Sequence, residues 1–168
     1  PSNPDGRNED DFDAELFEGE RELFEMQLEL AKKMSLPVVI HSRDAFADTI
    51  DCIKNIGYNN GIIHCFSYGI EEARAFVNLG WHLAFGGGTT YTKKSKMSEM
   101  EALLRYVPDD RLLLETDAPY LSPVPLRGTP NIPQNIRYTY EFISAKRNLS
   151  VQQLVRLVDK NCERLFKL

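Results

Sequence analysis

The sequence predicts an α/β fold built on a parallel sheet, and three observations predict it. Four short apolar runs stand at intervals along the chain, helical segments separate them, and the connections are too long for hairpins. A continuous apolar run is how a strand covered on both faces reads, and strands joined by a dozen or more residues pair in parallel. With 168 residues, 42% hydrophobic and 27% charged, the composition is that of an ordinary globular protein, so one domain over residues 1–168 is expected.

Residues Pro1 to Gly6 are rich in Pro, Asn and Gly, and the acidic run Asn8-Glu-Asp-Asp-Phe-Asp13 follows them. Residues 1–13 therefore read as a loop remnant of an upstream connection. From about Glu20 to Met34, Leu23, Leu30, Ala31 and Met34 recur at helical spacing, and Pro37 stops that helix because the residue before a proline avoids the helical region. Pro37-Val-Val-Ile-His41 is the first strand, read as buried on both faces. Phe46, Ile50 and Ile53 mark a helix ended near Gly57, and Gly61-Ile-Ile-His-Cys65 is the second strand.

Ile70, Ala73 and Val77 mark the next helix, stopped by Gly80, and Trp81-His-Leu-Ala-Phe85 is a third strand running into Gly86-Gly-Gly88. Met97, Met100, Leu104 and Val107 supply a helix before Pro108, and Arg111-Leu-Leu-Leu-Glu115 is the fourth strand. A proline-rich loop from Ala118 to Pro133 leads to a helix carrying Ile136, Tyr140 and Ile143. The last helix follows Ser150, whose hydroxyl and Gln153 form a capping box, and buries Val151, Leu154, Val155, Val158, Cys162 and Leu165.

A formal net charge of -5 argues against a surface that binds nucleic acid mainly through counterion release, so any such substrate must be held locally. Cys52, Cys65 and Cys162 have no metal-finger spacing, and their odd number fits a reducing compartment. No stretch approaches the roughly 18 apolar residues of a membrane span, so no membrane is expected; the location expected is the cytoplasm, or the nucleus in a eukaryote. The chain starts at Pro1 and has no methionine before Met26, which leads us to expect a segment upstream.

In parallel α/β folds functional side chains gather at the carboxyl ends of the strands. Those ends present His41, His64, the pair Glu115 and Asp117, and the glycine triplet. Two imidazoles and a carboxylate suit a divalent cation, which points to metal-assisted hydrolysis with His41, His64 and Asp117 as ligands. Glu115, two residues before a ligand, is expected to orient the site rather than bind an ion. His82 lies inside its strand and reads as structural or outward-facing. The glycines lack phosphate-loop spacing and serve equally a close approach or a flexible turn, and Lys93, Lys94 and Lys96 read first as a solvated basic cluster. Arg43 and Arg127 are the better phosphate candidates, because a guanidinium fork matches phosphate oxygens in pairs.

These residues lie in segments that resemble the TatD family of metal-dependent hydrolases: Leu36-Pro-Val-Val-Ile-His-Ser-Arg-Asp-Ala45, Gly61-Ile-Ile-His-Cys-Phe-Ser67, Leu112-Leu-Leu-Glu-Thr-Asp-Ala-Pro-Tyr120, Arg127-Gly-Thr-Pro-Asn131 and Asn161-Cys-Glu-Arg-Leu-Phe166. The resemblance implies a (β/α)8 TIM barrel with two divalent ions, Mg, Mn or Zn, at its C-terminal face. It implies cleavage of DNA from an end, with His41 and His64 on one ion, Asp117 on the other and taking the proton of the attacking water, and Arg43, Tyr120 and Arg127 around the substrate. The family's Asp-x-His-x-His segment and its Gly-Glu-Ile/Cys-Gly-Leu-Asp segment are not in this sequence. The four strands would be the last four of eight, with the first half carried by the same or a separate chain, and this chain alone would be inactive. An amide or ester hydrolase on the same barrel, and a non-catalytic half-barrel scaffold, are the competing readings.

Overall fold

The computed structural model describes the backbone of residues 9–168 and the side chains from residue 16 onward. Its elements are α1 (Glu9–Met34), β1 (Val38–His41), α2 (Phe46–Ile56), β2 (Gly61–His64), α3 (Ile70–Asn78), β3 (His82–Phe85), α4 (Met97–Tyr106), β4 (Leu112–Leu114), α5 (Ile136–Arg147) and α6 (Val151–Phe166). Part of the expected loop at residues 1–13 is corrected, since residues 9–13 open α1. The rest of that reading, residues 1–8, lies outside the described residues. The acidic stretch hid the helix because it shows no apolar period until its second half. No helix among the described residues is long and apolar enough to cross a membrane.

By its contacts the chain groups into two compact units. One is built of α1 and α2. Within it Leu28, Ile50, Cys52 and Ile53 are buried, and the side chains of Asn55 and Lys32 tie the two helices through Glu25 Oε1 (3.2 Å) and Ile56 O (2.6 Å). The expected apolar stripe on α1 is real as a period but not as core. Leu23, Leu30 and Met34 are exposed, and it is Leu28 that the helix buries.

The other unit, Pro37–Phe46 with Asn59–Leu168, holds the sheet. Its strands lie in the order β1-β2-β3-β4, every pair parallel, as the alternation predicted. The register sets Val38 beside Gly61, His41 beside His64 and Phe85 beside Leu114. β3 and β4 are buried throughout, and β2 is buried up to half-buried His64. β1 departs from the expectation of two covered faces: Ile40 is buried while Val39 is 58% exposed, because nothing among the described residues lies over the face that Val39 presents.

Phe66 centres the core, edge-on to Phe76 and Phe85 with ring centroids 6.4 and 5.7 Å away. Each such ring contributes about 1.5–3 kcal/mol by leaving water. His82 is buried rather than outward-facing, its Nδ1–H donating to Gly61 O at 3.3 Å, and burial followed by the Arg111 charge holds its pKa below the ordinary value. The capping box on α6 is present, with Ser150 Oγ accepting from the Gln153 amide (3.2 Å) and Gln153 Oε1 from the Ser150 amide (2.8 Å). α6 buries Leu154, Val158 and Leu165 as read, and also Asn161, whose polar side chain masked its place on the buried face. Val151, Val155 and Cys162 are only half-buried.

Candidate functional site

His41 and His64 end neighbouring strands and are partners across the ladder, so both side chains leave the same face. Their ring centroids are 5.7 Å apart. Asp117 arrives from two strands away, its Oδ1 3.7 Å from His64 Nε2. The three residues chosen from the strand ends are therefore together, with His64 in the middle.

Glu115 shows why His64 points as it does. Its amide donates to Phe85 O (3.2 Å), carrying the β3–β4 ladder one residue further. Its side chain then crosses above the end of β3 to reach β2. Oε2 stands 2.6 Å from His64 Nδ1, and Oε1 accepts the Cys65 amide at 2.7 Å. Gly86 leaves that path clear, since even a Cβ there would stand 3.6 Å from the Glu115 Cγ. The carboxylate as partner places the imidazole proton on Nδ1 and leaves the Nε2 lone pair facing Asp117. Burial pushes the Glu115 carboxyl up, and the bonds from His64 and from the Cys65 amide work against that rise.

Cys65 takes a left-handed conformation, φ 49°, at the end of β2, a conformation that disfavours a side chain and is held here by the Glu115 bond. The same enclosure, with burial first and the Glu115 and Asp117 charges next, pushes the Cys65 thiol up to about 11. Cys65 thus lines the cleft with its thiol form favoured.

A cleft of about 650 Å³ opens over this cluster, lined among others by His41, Arg43, Cys65, Met100, Asp117 and Tyr120. Arg43 is exposed on its wall, with Nε 3.8 Å from Asp44 Oδ2, and Tyr120 is 69% exposed. Arg127 stacks its guanidinium 4.3 Å over the Tyr91 ring and is not among the residues lining the cleft. Tyr91 in turn donates to Ser122 O (2.5 Å), so the Arg127–Tyr91 stack ties two parts of the loop after β4 to the segment after β3. Spacing placed Arg127 after a strand but could not give the loop's direction.

The glycine triplet serves close approach of the chain to itself. A Cβ on Gly87 would collide with Leu121 O and stand 2.9 Å from Pro123 N, so the loop carrying Asp117 and Tyr120 can rest there only against glycine. That loop is fastened by Asn131, whose amide donates to Pro119 O (2.9 Å) and whose Nδ2 donates to Tyr120 O (2.8 Å). Sequence reading missed Asn131 as the fastening, although it sits in a segment singled out by resemblance.

The donor set suits a divalent ion in kind. Two donors each about 2.0–2.2 Å from one ion can stand at most about 4.4 Å apart, and His64 Nε2 and Asp117 Oδ1 meet that bound. Among the described residues, however, no three His, Cys, Asp or Glu side chains are already gathered at the spacing of a closed metal cluster.

Comparison with known proteins gives a consistent result. Residues 6–167 match the family model described as TatD related DNase. The chain is 36% identical over 151 residues to the uncharacterized metal-dependent hydrolase YabD of Bacillus subtilis, covering 89% of this chain and 58% of that protein. It is 34% identical over 149 residues to the uncharacterized metal-dependent hydrolase YcfH of Escherichia coli, covering 88% and 55%. The crystal structure of the TatD homolog YjjV from Escherichia coli superposes with a TM-score of 0.82 at 30% identity, over 96% of this chain and 60% of that one. The chain thus spans a little over half the length of the proteins it matches.

Proposed function

The chain belongs to the TatD related DNase family, and from that premise we propose that it carries the C-terminal ligands and substrate wall of a metal-dependent phosphodiesterase that removes nucleotides from a DNA end. The observation that supports this most is His64, fixed by Glu115 so that Nε2 faces Asp117 at 3.7 Å, with His41 beside it and a cleft above.

His41, His64 and Asp117 would hold divalent metal, Mg, Mn or Zn, which supplies Lewis acidity toward a phosphoryl oxygen and toward water. The rest falls to the chain. Glu115 keeps His64 in one tautomer, so a donor lone pair faces Asp117. Asp117, with 39% of its side chain exposed, can take a proton from water attacking phosphorus through the carboxylate oxygen not turned toward His64. Arg43 on the cleft wall offsets the charge that grows on the phosphate. Tyr120, at the mouth, offers a ring for the terminal base.

In this reading the four strands are the last four of an eight-stranded barrel, and the first half comes from the same or a separate chain, covering the β1 edge and the exposed Val39. This chain alone is inactive, because the two histidines and bridging glutamate of the family's upstream segments are not among its residues. End-labelled DNA incubated with a protein containing both halves tests the reading: nucleotides should be released one at a time in Mg, Mn or Zn, and Asp117→Asn should abolish release without unfolding. Release of ammonia or acid from amide or ester substrates, with DNA untouched, would refute it. A scaffold is the second reading, favoured by the lack of a gathered three-ligand cluster among the described residues. It requires that the complete protein bind no divalent ion in calorimetric titration.

A further inference from the structure

Beside the cleft lies a second hollow of about 540 Å³ that shares Ser67 and Met100 with it. Its floor is apolar, formed by Ile70 at the start of α3 and by Met100 and Leu103 of α4. Its rim carries Lys93 and Lys96 from the loop between β3 and α4. Lys96 is paired with Glu99 at 2.9 Å, whereas Lys93 has no ion-pair partner among the described residues.

We propose that this hollow takes the nucleotide next to the one being released, with its base on the Ile70, Met100 and Leu103 floor and its phosphate at Lys93. The inference rests on the nuclease reading and adds that the protein acts on a strand rather than on isolated phosphodiesters. Three features argue for a nucleotide. An apolar floor accepts the face of any base, Lys93 stands at its edge with no ion-pair partner among the described residues, and the hollow shares Ser67 and Met100 with the cleft. On a chain of net charge -5, an anionic strand can be held only where a cation is local, and Lys93 is local to the hollow alone. The basic loop read from sequence as a solvated cluster thereby acquires a ligand.

The test is NMR of the chain labelled with 15N and at isoleucine δ1 methyls, titrated in EDTA with unlabelled thymidine 5′-monophosphate and with the trinucleotide dT3. The Gly88 amide, which lines the cleft and not the hollow, reports on the cleft. Thymidine monophosphate should move Gly88 only, whereas dT3 should move both Gly88 and the Ile70 methyl. Lys93→Ala should weaken dT3 binding about tenfold, the loss of one charge-assisted contact, and make its salt dependence shallower by about 0.7 in log–log slope. Lys54→Ala, an equal change of charge on α2, should leave dT3 affinity within twofold. If dT3 moves Gly88 and leaves Ile70 unmoved, this inference is overturned and the nuclease reading stands. If dT3 moves neither, this inference is overturned, and the nuclease reading is decided separately by the end-labelled DNA assay with metal and both halves. Equal losses from Lys93→Ala and Lys54→Ala would reduce the hollow to net-charge attraction and overturn it too.

Discussion

Substituting Glu115→Gln removes one charge and adds one donor, and the local geometry decides where the His64 proton then sits. The carboxylate commits Oε2 to His64 Nδ1 at 2.6 Å and Oε1 to the Cys65 amide at 2.7 Å. A glutamine can satisfy only one of the two. With its oxygen on the Cys65 amide, its NH2 faces Nδ1, which must then accept, and the imidazole proton moves to Nε2. With its oxygen on Nδ1, two N–H groups face each other at Cys65, at a cost of about 1–3 kcal/mol. The first arrangement should win, and it points an N–H where Asp117 and an ion expect a lone pair. Loss of such an outer partner typically lowers metal affinity 10- to 100-fold, about 1.4–2.7 kcal/mol. Zinc titration by calorimetry gives the affinity, and long-range 15N–1H correlation gives the His64 tautomer without any metal. Affinity within twofold of the parent, or a proton still on Nδ1 in the variant, would refute the reasoning.

Other parts of the fold carry three more expected outcomes. Asn161, buried on α6, donates to Asp109 O (2.7 Å) and Leu112 O (2.8 Å), so Asn161→Ala strands two carbonyls and should cost about 2–4 kcal/mol in urea unfolding. A loss under about 0.5 kcal/mol would mean the bonds carry nothing net. Burial, then the charges of Asp159 and Cys162, push the Tyr140 hydroxyl up to about 12. The fold favours its neutral form, so that contribution is complete below the ordinary value of about 10 and is lost as pH rises through about 12; the loss is at most about 2 kcal/mol after solvent screening. Tyr140→Phe should flatten that alkaline decline, read as the difference between the two proteins' urea midpoints at pH 9 and 11.5. Gly87→Ala, whose new Cβ collides with Leu121 O, should displace the loop after β4 and cost at least about 1–3 kcal/mol, with Tyr120 amide shifts reporting the displacement.

Much of the sheet was legible because strand order and direction follow from local pattern: apolar runs, helical spacing between them, and glycine or proline stops. That His41, His64 and Asp117 come together was legible for the same reason, since a parallel sheet sends its strand ends to one place. What stayed hidden depends on contacts distant in sequence. The two oxygens of Glu115 are assigned by Phe85, His64 and Cys65, residues that no spacing links to it. The stacking of Arg127 over Tyr91 likewise depends on the path of its loop, which spacing does not give. The segment from Asn161 to Phe166 was recognised by likeness, yet its physical reason is the pair of carbonyls that Asn161 satisfies. β1 read as fully buried because the apolar run records what a strand is suited to pack against, which the described residues do not supply.

The span of Glu115 across the glycine-ended β3 also orders events during folding. His64 and Glu115 are 51 positions apart, and their bond needs β2, β3 and β4 side by side before it can close. Pairing over that separation costs loop-closure entropy early and is rewarded late, so the imidazole acquires its native tautomer only after the last strand has docked. The His64 resonance is thus a clock for the sheet: in a refolding time course it should lag the signals of β2 itself and coincide with those of β4. Any chaperone or ligand that captured the chain before that moment would meet a histidine with no fixed proton.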